Sequence, residues 1–138
     1  MDVASALLLT ATSLYCGFQA TIRVLVYPQF ATVPAGGFVA VEREHQRRVT
    51  FVVGPLFAFF ATAVAIAGVA DTDVWSVVAG ACFVLILAVT GLAAVPLHGR
   101  LRTGFDAATH TRLLAVDTVR VALAVLAVGA AIGYAVAA

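Results

Sequence analysis

The sequence predicts an all-α integral-membrane protein, a four-helix up-down bundle forming a single domain over residues 1–138. Three observations carry this. Of the 138 residues, 63% are hydrophobic and only 11% are charged, with a mean hydropathy of +1.08. A water-soluble domain of this size has no interior large enough for that much apolar surface, so the solvent must in part be lipid. Four stretches carry no charge, residues 3–22, 49–70, 74–97 and 121–138, and a helix crosses a bilayer with about 20 apolar residues. Finally, all eight basic residues are arginines, at 23, 43, 47, 48, 100, 102, 112 and 120. Counted by connection, every one falls at the same membrane face, while the other face holds only Asp2, Asp71 and Asp73. The positive-inside bias then predicts a multi-pass cell-membrane protein with both termini outside and the first and third connections in the cytoplasm.

The first run has Asp2 and no arginine ahead of it, so it does not read as a cleavable signal. Tyr15, Gln19 and Arg23 recur every four residues and share one helix face. A polar stripe in lipid is costly and is expected to face the bundle interior or a wet cleft. Pro28 disfavours helical geometry at Tyr27, so the helix is expected to stop there. Residues 29–37, with Pro34 and the Gly36-Gly37 pair, then read as a loop.

From Phe38 a second helix enters the membrane. On it Glu42 and His45 stand three apart and Glu44 and Arg48 four apart, spacings at which each pair can meet. Pro55 is expected to kink this span. Asp71-Thr72-Asp73 is a tight turn, with Asp73 or Thr72 capping the third helix. Trp75 stands where an interfacial aromatic anchor belongs. The third span is plain apart from Thr90 and Gly91, Pro96 marks its end, and His98 follows. The fourth charge-free stretch is short and gains length by recruiting residues 113–116, which brings Asp117 and Arg120 to membrane depth. Gly129 and Gly133 form a GxxxG pair, a candidate seam for a homo-oligomer. Cys16 and Cys82 lie in different spans at different depths, which argues against a disulfide framework.

Short connections make consecutive spans antiparallel neighbours. Arg23, Glu42, Glu44, His45, Arg48, His98, Asp106, His110, Asp117 and Arg120 then converge at one end, and they include all three histidines of the chain. One reading is a transition-metal site, iron or copper, held by Glu42, His45, His98 and His110, since Glu-x-x-His is the pairing used in carboxylate-bridged metal bundles. A second is metal-free: a histidine oriented by Asp117 or a glutamate acts as base on a lipophilic phenol or enol, Arg48 and Arg120 hold the anion, and Tyr15, Gln19 and Arg23 line the pocket. A third is structural, with charges simply paired where helices leave the bilayer. A net charge of +1 without a basic-aromatic groove argues against nucleic acid as a partner.

The segments Val26-Tyr27-Pro28, His45-Gln46-Arg47-Arg48, Gly54-Pro55-Leu56, Val95-Pro96-Leu97-His98 and Leu113 to Arg120 resemble small bacterial integral-membrane proteins of the anthrone-oxygenase-like family. That family's Val-Pro-Leu-Asn motif has His98 at the asparagine position here, and its Asn-x-x-Arg motif has Asp117 and Arg120 at its ends. The resemblance implies a four-span bundle and, for some members, oxygenation of a polycyclic phenol without an obvious bound cofactor. The combined expectation is a small membrane oxidoreductase acting on a lipophilic molecule, with His45, His98 and Asp117 as its catalytic groups. The alternatives are a small-molecule binding or transport protein and an accessory subunit of a membrane complex.

Overall fold

The computed structural model describes residues 1–137. They form four long helices, α1 (Val3–Phe30), α2 (Ala35–Ala70), α3 (Val74–Leu101) and α4 (Ala107–Ala137), each long and apolar enough to cross a membrane. The 36 residues of α2 rise about 54 Å at 1.5 Å each. That exceeds a hydrocarbon core of about 30 Å, so the charged first turns of α2 project beyond it.

Three of the four helices start on the same device. Asp2 Oδ1 accepts from the Ser5 amide (2.7 Å), Asp73 Oδ1 from Ser76 (2.8 Å), and Asp106 Oδ2 from Thr109 (2.8 Å). Each bond satisfies an amide that the helix itself leaves free, and the carboxylate lies on the positive end of the dipole. The Ser5 amide holds the Asp2 carboxyl below the usual carboxylate range, and the Thr109 hydroxyl and amide do the same for Asp106. Asp73 is thus the cap of α3. Thr72 instead donates its hydroxyl back to the Gly68 carbonyl.

Two expected helix ends are corrected. α1 does not stop at Tyr27 but runs through Pro28 to Phe30, and α3 runs through Pro96 to Leu101, so His98 is helical. In both, a π turn precedes the proline, at Ile22–Val26 and at Thr90–Ala94. The wider turn lets the chain adjust its hydrogen bonding ahead of a residue that has no N–H to give. The expected loop over 29–37 shrinks to residues 31–34: Pro34 holds the N-cap position of α2, and Gly36 and Gly37 lie in its first turn. α2 continues unbroken through Pro55. α4 begins at Ala107, far ahead of its charge-free stretch, and carries Asp117 and Arg120 on its buried face.

Consecutive helices are neighbours and α4 closes the ring against α1, as the up-down topology requires. The interior of the arginine-poor half is made largely of small residues, Ala4, Ala11, Ala63, Ala67, Ala79, Ala124, Ala127 and Ala131, around Tyr15, Phe60 and Phe83. Small side chains let helix backbones approach closely where lipid offers no hydrophobic drive for association. Outward-facing Leu14, Phe51, Leu85 and Leu126 are exposed and contact the bilayer.

Trp75, at the start of α3, lies over Gly133 of α4, where an added Cβ would fall 2.5 Å from its ring. Gly133 is therefore taken up within the chain and is not free to seat a second copy, while Gly129 is exposed. The α2–α3 seam is the most sparsely packed of the four. It is tight toward the far end, where Gly80 meets Val64, parts around exposed Thr50 and Val95, and is bridged again at the arginine-rich end by Glu42 and His98.

Candidate functional site

Where that seam opens, all four helices line a cavity of about 180 Å³. Gln19, Ile22 and Tyr27 enter from α1; Gln46, Val49, Thr50 and Val53 from α2; Thr90, Ala94, Val95 and His98 from α3; Arg120 from α4. Thr50 and Val95 are themselves exposed, so the cavity has a lateral mouth between α2 and α3, toward lipid. Polar groups form its inner wall and apolar groups its sides.

The first polar chain runs from α2 through α3 to α1. Glu42 is fully buried. Its Oε1 accepts from His98 Nδ1 at 2.6 Å and from Gln46 Nε2 at 2.7 Å, and His98 Nε2 meets the Tyr27 hydroxyl at 2.9 Å. These partners assign the tautomer: Nδ1 carries the proton that it gives to the carboxylate, which leaves Nε2 to accept from Tyr27. The result is a carboxylate–imidazole–phenol relay whose last two members border the cavity.

The second chain joins α1 to α4. Tyr15 donates its hydroxyl to Gln19 Oε1 at 3.1 Å, Gln19 donates its amide to Asp117 Oδ1, and Arg120 pairs with the same oxygen at 3.1 Å. Arg120 also lies near Tyr15 and Tyr27, one from each chain. Glu42 Oε2, Asp117 Oδ2 and Arg120 Nε are buried without a hydrogen-bond partner. An unsatisfied buried donor costs about 1–3 kcal/mol. Arg120 is the one arginine among the residues that line the cavity.

The residues singled out from sequence fare differently. Tyr15 and Gln19 stay together as read, but Arg23 turns away from them toward α4. Arg23 is half-buried and donates instead to the Thr118 hydroxyl at 2.9 Å. Glu44 and Arg48 meet at 2.6 Å as their spacing predicted, with Arg47 on the same carboxylate at 2.7 Å. This cluster is exposed, so Arg48 does not border the cavity. Glu42 meets His98 of α3 and not its expected partner His45. His45 lies beside it, with its ring stacked on His98 at 5.9 Å between centroids and its buried Nε2 without a partner.

His110 is buried elsewhere. It donates from Nε2 to the Tyr27 carbonyl at 2.8 Å and so satisfies a carbonyl in the last turn of α1. The set Glu42, His45, His98 and His110 therefore does not gather round one point. Among the described residues no three His, Cys, Asp or Glu side chains lie where they could share a metal ion. Asp117, expected to orient a histidine, is bonded to Gln19 and Arg120, and the orienting carboxylate is Glu42.

Tyr27 and Gln46 were not singled out from sequence. Tyr27 stands before a proline and within the Val26-Tyr27-Pro28 segment, neither of which marks it as a site residue, and Gln46 is one helical turn beyond Glu42, a spacing that places it on the same face. Comparison with protein-family models, curated proteins and solved structures finds no match.

Proposed function

We propose that this integral-membrane bundle is a small oxygenase-like enzyme that takes lipophilic hydroxyarenes from the bilayer through the α2–α3 mouth. The observation that carries the reading is the Glu42–His98–Tyr27 relay ending on a cavity open to lipid. His98 is the base. It accepts the hydroxyl proton of the substrate at Nε2, directly or through the Tyr27 hydroxyl. Glu42 stabilises the imidazolium that forms, as a buried carboxylate does behind a catalytic histidine. Arg120 faces the resulting aryloxide, whose charge is worth most to a donor fixed in a dry site.

An aryloxide is electron-rich enough to react with dioxygen, which is itself lipophilic. In the balanced reaction a ring C–H ortho or para to the hydroxyl becomes a carbonyl, one oxygen atom enters the product quinone, and the other leaves as water with the two protons released. The oxygenase direction is further supported by the resemblance of the Val95-Pro96-Leu97-His98 and Asp117 to Arg120 segments described above. The arginine-rich end is assigned to the cytoplasm on the positive-inside bias, with both termini opposite.

The test is dioxygen uptake by the protein in nanodiscs supplied with lipophilic hydroxyarenes under ¹⁸O₂. The expected product carries one labelled oxygen, and His98→Gln lowers the rate at least a hundredfold with the fold intact. An H98Q variant that oxidises the same compounds at the wild-type rate would remove His98 from the chemistry and the proposal with it.

A further inference from the structure

The cavity specifies more than a hydroxyl group. Its volume is about 180 Å³, close to that of a cavity of about 150 Å³ known to hold a single benzene ring. A system of three fused rings needs more room than this unless α2 and α3 part. Its polarity runs one way: Gln19, Tyr27, His98 and Arg120 lie toward the interior of the bundle, while Val53 and Val95 stand toward the seam. The exit at exposed Thr50 and Val95 leads into a lipid-facing cleft, since α2 and α3 are the least closely packed pair of helices.

We infer that the natural ligand is a single-ring hydroxyarene bearing a linear alkyl tail, with its ring in the cavity and its hydroxyl toward His98 and Arg120, and with the tail passing between α2 and α3 into the bilayer. This rests on the functional reading above and narrows it away from polycyclic substrates. The tail never has to leave lipid, so only the ring crosses into the protein. That division suits a cavity too small for the whole molecule and too open at one side to enclose it. Binding then combines the burial of one ring, a hydrogen bond to the inner wall, and a tail whose environment barely changes.

The experiment measures equilibrium binding of 4-dodecylphenol, phenol and 2-anthrol to the full chain in phosphatidylcholine nanodiscs, each corrected for partition into empty nanodiscs. The tailed ring is expected to bind at least tenfold more tightly than the three-ring compound. Ala94→Leu, which fills the cavity from α3, is expected to weaken it at least tenfold. Should that variant fold poorly, Val53→Phe at the mouth is the second probe, expected to weaken 4-dodecylphenol while sparing phenol. If 2-anthrol binds as tightly as 4-dodecylphenol, or if both variants bind 4-dodecylphenol as wild type does, the single-ring inference is overturned and the wider enzymatic reading survives. If none of the three compounds binds above partition, both fall together.

Discussion

Replacing Glu42 with glutamine separates catalysis from folding more sharply than any other single change. The side chain is fully buried, and Oε1 holds both His98 and Gln46 while Oε2 has no partner. Glutamine keeps the shape and one acceptor oxygen but removes the charge. For the folded protein the change is close to neutral, because a desolvated carboxylate with an unpartnered oxygen is a poor source of stability. For the proposed reaction it is not neutral, because there the charge matters most when His98 becomes an imidazolium. A hydrogen bond to a charged group contributes about 1.5–3 kcal/mol, and about 1.4 kcal/mol is a factor of ten in rate. E42Q should therefore lower the turnover number roughly 10- to 150-fold, with a thermal midpoint in detergent close to wild type. ¹⁵N NMR of the imidazoles supplies a check that needs no substrate. In wild type His98 should show a protonated Nδ1 with a strong hydrogen bond, and in E42Q that signature should weaken. Full turnover in E42Q, or an unchanged His98 spectrum, would refute the argument that Glu42 orients and charges the base.

Other substitutions test the remaining parts. Asp117→Ala leaves the Arg120 charge buried without its partner and should destabilise by about 3–5 kcal/mol; combining it with Arg120→Leu should recover much of the loss, as read by unfolding in mixed micelles. Gly133→Leu drives a side chain into the Trp75 ring and should cost about 1–3 kcal/mol, whereas Gly129→Ala should change neither the thermal midpoint nor the sedimentation of the protein. His110→Ala strips a buried carbonyl of its donor and should cost about 1–3 kcal/mol, with faster hydrogen exchange near the end of α1. The Asp106 carboxyl is held below its ordinary value by Thr109. Its cap on α4 is therefore complete above the unfolded carboxylate value of about 4 and is lost as pH falls through the lower folded value. Exchange at the Thr109 amide should accelerate only in that acidic window, and Asp106→Ala should abolish the step.

Much of the bundle was legible because lipid imposes a strong rule. Charge-free stretches of the right length and eight arginines sorted to one face fix helix number and topology without any knowledge of packing. The convergence of Glu42, His98, Asp117 and Arg120 at one end follows from that topology alone. Which of them touch does not. Helical spacing pairs Glu42 with His45, yet His98 takes the Glu42 bond because α3 brings it across the seam. His110 lies on the buried face of α4 as read, but a backbone carbonyl of α1 claims it, and no side-chain pattern announces a carbonyl. The caps at Asp2 and Asp106 carry the same Asp-x-x-Ser/Thr spacing as Asp73 and were there to be seen.

The deeper obstacle is that a π turn resets helical phase, and both site-bearing helices contain one. Before its π turn, α1 buries Tyr15, Gln19 and Ile22 at spacings of four and three; the next buried residues are Tyr27 and Phe30. A regular helix would have carried the inward face from Ile22 to Val26, an apolar side chain. The Tyr27 amide instead bonds the Ile22 carbonyl five residues back, and the inserted residue moves Tyr27 inward. The Val95 amide bonds the Thr90 carbonyl in the same way, one turn ahead of His98. Each proline that in sequence looks like the end of a helix thus accompanies the adjustment that places one half of the Tyr27–His98 contact. π turns tend to occur at functional positions because they are less stable than the regular helix they interrupt and need a compensating use. Here that use is specific: two helices each give up one regular turn, and a phenol and an imidazole meet at 2.9 Å beside a cavity that no uninterrupted pair of helices would have lined with them.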